Sequence, residues 1–246
     1  MTEMSALRET AEAWLAAEPD ADMREELGAL LHGSEQQLRD RFTGRLQFGT
    51  AGLRAAVGVG PQRMNRLVVQ QAAAGLVEYL LAHVPDVADA GVLIGYDMRR
   101  KSDAFALDTA RVCAARGVKA LLFDQIVPTP VLAWNITALG AAAGVMVTAS
   151  HNPPADNGYK VYLATGAQIV PPADTDISAC IDDVDPTSVE LASPDHPLIQ
   201  YVGAEEIEAY LAAVPAVRLL PNLPGVASAY TALHGVGGAT LLAAFE

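Results

Sequence analysis

The chain has only two cysteines, Cys113 and Cys180. They lie far apart and form no metal-ligand or redox spacing. A disulfide framework and a structural zinc site are therefore excluded, and a reducing, cytoplasmic setting is expected. Cys113 falls in a helical pattern and reads as a small buried apolar residue. Basic residues are scarce as well: 16 Lys and Arg against 29 Asp and Glu give a formal net charge of −13. Those few are scattered. Nucleic acid and anionic membranes both require concentrated positive surface, so neither is an expected partner. A small anionic substrate remains compatible, because a few focused cations suffice for it. No apolar run reaches membrane-spanning length, and Glu3, Glu9 and Glu12 interrupt what would have to be a signal sequence.

What is present is apolar residue. At 246 residues and 51% hydrophobic, the chain can bury a sizeable core, as one large α/β domain or one domain plus part of another. Residues 4–42 read as three short helices, with Ser5, Asp22 and Gly33-Ser34 at their starts. Asn65 is expected to cap a long helix from Leu67 to Val84. Gly91 to Tyr96 reads as a buried strand, and Ser102 as the cap of a helix stopped at Gly117. Val118 to Phe123 is the next strand. Pro128-Thr129-Pro130 is read as a stiff loop before a helix that ends at Leu139. A short strand at Gln168-Ile169-Val170 precedes a helix ending near Asp185. Residues 185–197, rich in Pro, Asp and Ser, are the linker candidate. Beyond them lie a helix from Glu205 to Val214, a strand from Val226 to Tyr230, and a glycine turn from His234 to Gly238 into a last helix. Strands alternating with helices through short connections imply a mostly parallel sheet covered on both faces. Ligands then bind at the carboxyl ends of the strands. Asp97-Met98-Arg99, Pro128-Thr129-Pro130 and Ser150-His151 all fall there.

Residues 145–160 stand out. Val145-Met146-Val147 is an apolar, β-branched run that reads as a buried strand. Ser150-His151-Asn152-Pro153-Pro154 cannot continue it, since neither proline donates a ladder hydrogen bond. Asp156-Asn157-Gly158 carries turn chemistry, and a strand resumes at Tyr159-Lys160-Val161-Tyr162. A hydroxyl, an imidazole and an ammonium thus sit around a stiff loop between buried strands, a usual setting for catalysis. Ser150 lacks the glycines of a hydrolase nucleophile elbow. Adjacency does not bring the His151 ring to its hydroxyl. His151, Asp156 and His234 fit no common metal spacing. A loop whose Ser and Asn merely satisfy backbone groups is the plain alternative. A second segment, Gly44 to Arg54, sets Gly49, Thr50 and Gly52 before an arginine. Small residues allow close backbone approach, and Arg54 could grip phosphate as a planar fork.

These motifs together resemble the α-D-phosphohexomutase family of phosphoglucomutases and phosphomannomutases. Thr148 to Pro153 with Asn157-Gly158-Tyr159-Lys160 resembles its active-site loop, and Phe48 to Arg54 its N-terminal signature. Gly95 to Arg99 and Pro128-Thr129-Pro130 fall where the family has strand-end loops. Tyr230 to Gly235 resembles the start of its second domain. The helical stretch before residue 44 and the wording of Gly60 to Asn65 resemble the long-chain branch, with phosphoglucomutase-2-like and phosphopentomutase-like enzymes. The resemblance implies a three-layer α/β/α fold with a mostly parallel mixed sheet. It implies a helical extension at 1–43, domain I at 44–197, and an incomplete domain II at 198–246.

The resemblance further implies that Ser150 is a phosphoserine. It would interconvert hexose 1-phosphate and 6-phosphate through a bisphosphorylated sugar, in two in-line transfers. Mg²⁺ is implied, with one ligand from the phosphate on Ser150, and so is an activator of the glucose 1,6-bisphosphate type. Lys160 matches a position of proton handling and needs a lowered pKa to act as a base. Arg54 matches the arginine that contacts the phosphoryl group. For His151, proton transfer and loop orientation both stay open, while Tyr159 and Asn157 read as mainly structural. The family's other metal ligands are aspartates in a D-G-D-x-D-R loop, and no such run occurs here; Asp182, Asp183 and Asp185 do not reproduce it. Little turnover is therefore expected of these residues alone. A non-catalytic sugar-phosphate-binding module derived from the family is the competing reading. Glucose, mannose and pentose phosphates are not distinguished.

Overall fold

The computed structural model describes residues 3–219 and 225–246. Three helices come first: α1 (Glu3–Ala17), α2 (Ala21–Leu31) and α3 (Glu35–Phe42). Trp14 meets Phe42 edge to face and both join the main core, so these helices pack on the domain as expected. Ser34 caps α3 by accepting from the Gln37 N–H. The other two starts differ from expectation. Ser5 lies inside α1 and bonds to Glu9. Asp20, not Asp22, precedes α2. The Ser5 hydroxyl is taken by Glu9 one turn along the same helix, while the Asp22 carboxylate is taken by Arg100 and Lys101 from another element.

The sheet follows. β1 (Leu53–Ala56) is succeeded by α4 (Arg66–His83), α5 (Val87–Ala90), β2 (Val92–Tyr96), α6 (Ser102–Ala115), β3 (Ala120–Phe123) and α7 (Thr129–Ala138). Then come β4 (Ala143–Val147), β5 (Asp156–Leu163), α8 (Ala173–Asp182), β6 (Ile199–Val202), α9 (Ala204–Ala213), a 3₁₀ turn (Val214–Val217) and α10 (Gly238–Phe245). Strand order is β1-β5-β4-β2-β3-β6. β4, β2, β3 and β6 are mutually parallel, while β5 runs antiparallel to both β4 and β1. The expected mixed, mostly parallel sheet is present. α4, α6 and α8 cover one face and α7 and α9 the other, giving two cores.

Asn65 caps α4 as read from the sequence: its Oδ1 accepts from the Val68 N–H at 3.0 Å. α4 is buried along nearly its whole length because α6 and α8 flank it above the sheet. Gly75 marks where α8 crosses it. A Cβ there would lie 2.6 Å from the backbone N and Cα of Ile181. Gly75→Val is therefore expected to lower stability by about 2 kcal/mol through overpacking, read from the midpoint of denaturant unfolding.

Several local readings are corrected. Ser102 is the first residue of α6 rather than its cap; Lys101, with φ 65°, precedes it. Thr129 and Pro130 open α7 instead of forming a loop, since proline is tolerated in a first helical turn. Asp156-Asn157-Gly158 is strand, not turn: it pairs with Ala56, Ala55 and Arg54, and a partner strand overrides turn propensity. Gln168 makes a single bridge to Tyr162 in place of a strand, and α8 stops at Asp182. Residues 185–197 are irregular, yet β6 beyond them pairs with β3. The sheet therefore runs past the boundary expected at 198. Val226 to Tyr230 is irregular and exposed, with no partner strand among the described residues.

Candidate active site

The strand β4 points its carboxyl end at the Ser150 loop. Thr148 and Ala149 are still buried, and the chain then turns out to an exposed Ser150. The turn is tight. Thr148 Oγ1 accepts from the Ser150 N–H at 2.9 Å, the Asn152 N–H donates to the Ala149 carbonyl at 3.0 Å, and the Asp156 N–H to the Pro153 carbonyl at 3.0 Å. Asn152 Nδ2 donates to the Asp156 carboxylate at 2.9 Å. Ser150 itself has φ 56°, a left-handed conformation that a non-glycine residue adopts only when its surroundings impose it.

Antiparallel pairing brings the lysine in. β5 returns beside β4 with Lys160 opposite Met146. From there Lys160 Nζ donates to Ser150 Oγ at 3.0 Å. Lys160 is 7% exposed. Burial lowers its pKa below the ordinary lysine value, the positive Arg54 lowers it further, and Asp97 opposes them. Of the two depressing causes, burial is the larger.

Arg54 arrives from the other side of β5, where it pairs with Gly158. Its Nη1 lies 3.5 Å from Asn152 Oδ1, and its Nε is buried without a hydrogen-bond partner. A buried donor left unspent on a guanidinium that reaches the Ser150 loop at Asn152 suits an anion held at that loop. Gly52 (φ 72°) makes the approach of this segment to β5 feasible, because a Cβ there would collide with the Tyr159 carbonyl.

The end of β2 supplies a fourth group. Asp97 Oδ1 accepts from the Ser102 hydroxyl at 2.8 Å and from the Arg99 N–H at 2.9 Å. The Arg99 guanidinium points into the Ser150 loop. Nη2 donates to the Ser150 and Asn152 carbonyls, both at 2.9 Å. Nη1 donates to Pro153 at 2.8 Å and Asp156 at 2.9 Å. Arg100 pairs with Asp22 at 2.6 Å, and Lys101 with Asp20 at 2.7 Å, which ties this loop to α2.

Of the sequence-predicted residues, Ser150, Lys160 and Arg54 come together around one loop. His151 is exposed and makes no hydrogen bond, to Ser150 or otherwise, among the described residues. The Asp156 carboxylate is taken by Asn152, and no three His, Cys, Asp or Glu side chains converge as a metal site among the described residues. Asn157 is structural as read: it donates to the Arg100 carbonyl and the Ser102 hydroxyl. Sequence reasoning missed the reach of Arg99 and the role of Thr148. The signal for Arg99 was its place two residues after an aspartate at a strand end. No helix among the described residues is long and apolar enough to cross a membrane.

Residues 45–188 match the family model for the phosphoglucomutase/phosphomannomutase alpha/beta/alpha domain I. Over 177 residues the chain is 46% identical to a probable phosphoribomutase of Schizosaccharomyces pombe, covering 72% of this chain and 30% of that protein. It is 47% identical over 178 residues to a probable phosphomannomutase of Haemophilus influenzae, covering 71% and 36%. The crystal structure of a putative phosphomannomutase from Thermus thermophilus superposes with a TM-score of 0.55 at 30% identity, over 71% of this chain and 36% of that one. The chain thus spans about a third of the length of the curated relatives it matches. The family model covers more than half of the chain and the superposed fold agrees with it: the chain belongs to the phosphoglucomutase/phosphomannomutase family.

Proposed function

We propose that the polypeptide to which these residues belong is a cytoplasmic phosphosugar mutase. Ser150 carries the phosphoryl group between positions of the sugar, and a sugar bisphosphate primes it. The observation that carries this reading is the 3.0 Å contact from Lys160 Nζ to an exposed Ser150 Oγ at a strand end. The relatives named as mutases support it, and none supports a non-catalytic module.

The chemistry at Ser150 balances as follows. When the enzyme is charged, Ser150 Oγ attacks phosphorus, the bond from phosphorus to the sugar oxygen breaks, and that oxygen leaves as a hydroxyl with a proton from solvent. The hydroxyl proton passes to neutral Lys160. On discharge, a sugar hydroxyl attacks the phosphoserine and gives its proton to solvent, the bond from phosphorus to Oγ breaks, and Lys160 returns its proton to Oγ. Arg54 holds the phosphoryl oxygens through both steps. His151 stands outside on an exposed turn, and its role is confined to substrate or to groups beyond these residues. Mg²⁺ would neutralise phosphoryl charge in such a transfer. The described residues gather no cage for it, so by themselves they do not fit the ion, and no step is routed through it. Their share would be the phosphate on Ser150. In this proposal the domain-II portion starts after α9, because β6 and α9 belong to the sheet described here.

The test is an assay of the parent polypeptide with glucose, mannose and ribose 1-phosphates plus the matching bisphosphate. Turnover of at least one substrate is expected; turnover of none overturns the reading. Lys160→Met should lower kcat by about 10²–10³-fold. Because the folded pKa of Lys160 is depressed, charging of Ser150 should fail as pH falls through it. Arg54→Met removes the positive neighbour and should move that acid limb to higher pH. The linkage sign agrees: between the folded and unfolded values the unfolded state binds more protons, so the Lys160 contribution to stability rises with pH there.

A further inference from the structure

We propose that Arg99 is the positioning residue of the Ser150 loop: its guanidinium fixes the left-handed backbone that aims the serine hydroxyl at Lys160. The inference rests on the phosphoserine reading above. Arg99 touches no atom of the Ser150 side chain. It binds the loop from behind, through the carbonyls of residues 150, 152, 153 and 156, at 2.8–2.9 Å.

The loop creates the need for this group. Pro153 and Pro154 contribute no N–H, so carbonyls that turn inward there have few backbone donors to meet. Inward-facing carbonyl dipoles also repel one another, and a cation at their centre turns repulsion into attraction. Only arginine offers enough donors in one plane. Four N–H groups go to the four carbonyls, and Nε faces Asp97 Oδ2 at 3.4 Å. A lysine has three donors on one nitrogen and cannot span two pairs of carbonyls.

The clamp is held at both ends. Asp97 is pinned by the Ser102 hydroxyl, and Arg100 and Lys101 are paired to Asp22 and Asp20 of α2. Asn157 Nδ2 also donates to the Arg100 carbonyl at 3.0 Å, so β5 grips the same loop. Arg99 therefore has little freedom of its own, and its geometry is passed to Ser150, where φ is 56°.

The experiment compares Arg99→Lys and Arg99→Ala with the unmodified parent polypeptide. The readouts are kcat and KM, the rate of phosphate transfer from a sugar bisphosphate to Ser150, and amide hydrogen exchange across residues 149–157. For Arg99→Lys, kcat and the transfer rate should fall about 30-fold or more while KM moves less than about 3-fold, as expected for lost alignment. Exchange in the loop should rise, with the rest of the sheet unchanged. Millimolar guanidinium should restore part of the transfer rate to Arg99→Ala and none to Arg99→Lys. Normal transfer and unchanged loop exchange in Arg99→Lys overturn the proposal. If the unmodified protein never carries phosphate on Ser150, the phosphoserine reading fails instead, and the exchange data alone decide whether Arg99 orders the loop. If Arg99→Ala fails to fold, the charge-conserving lysine variant still gives every readout except the rescue.

Discussion

Replacing Ser150 by alanine should leave the fold intact and lower mutase turnover of the parent polypeptide by at least about 10³-fold. The fold is safe because Ser150 is exposed, and among the described residues its side chain hydrogen-bonds to Lys160 alone. Alanine is hardly more strained than serine at φ 56°, and the bonds that shape the turn come from the Thr148 hydroxyl and the Arg99 guanidinium. Activity falls because nothing nearby replaces the hydroxyl. Among the described residues His151 makes no bond to the site, and no second hydroxyl accepts from Lys160. Circular dichroism and the unfolding midpoint should match the unmodified protein, while labelled phosphate from a sugar bisphosphate should no longer appear on the chain. Retention of more than a tenth of the turnover would remove Ser150 from the mechanism.

Gly52→Ala should be the most damaging small substitution in the N-terminal signature. Two effects add. Gly52 has φ 72°, where any Cβ is strained, and that Cβ would enter the Tyr159 carbonyl and crowd Lys160 Cα at 3.1 Å. The second obstacle is backbone of a central strand, which has no rotamer to change. A loss of about 3 kcal/mol is expected. Activity should suffer beyond stability, because the displaced segments carry Arg54 and Lys160. A shift near 1 Å in such groups costs about 10²-fold. Gly49→Ala is the control. It lies in the same motif, has no left-handed φ, and a Cβ there meets nothing within 4 Å. Its stability should change by less than about 1 kcal/mol. Equal effects of the two substitutions, in denaturant unfolding and in assay, would mean that the motif acts through sequence and not through this contact.

Much of the sheet was legible because its signal is local. Apolar runs at Val92–Tyr96, Ala120–Phe123 and Ala143–Val147 needed only their own residues to read as buried strands. Asn65 was equally legible, since a cap depends on three following residues. Ser102 misled because its hydroxyl goes to Asp97, a tertiary partner five residues away. Asp156-Asn157-Gly158 misled for a similar reason: its turn composition is overridden by pairing with β1, a hundred residues earlier in the chain. The apparent linker misled because a Pro-rich, acidic segment looks the same whether it joins two domains or crosses one sheet to its edge strand.

The sequence by itself determined the fold class through local patterns and the family through the resemblance of its motifs, and it singled out Ser150, Lys160 and Arg54 as candidates. The tertiary structure decided how those groups meet. Antiparallel return of β5 sets Lys160 against Ser150, and β1 beyond it brings Arg54 to the same loop. Burial at that junction, more than any neighbouring charge, depresses the lysine. Position two residues after Asp97 marked Arg99, but its hold on four carbonyls was decided by packing, since carbonyl direction depends on backbone angles that packing sets.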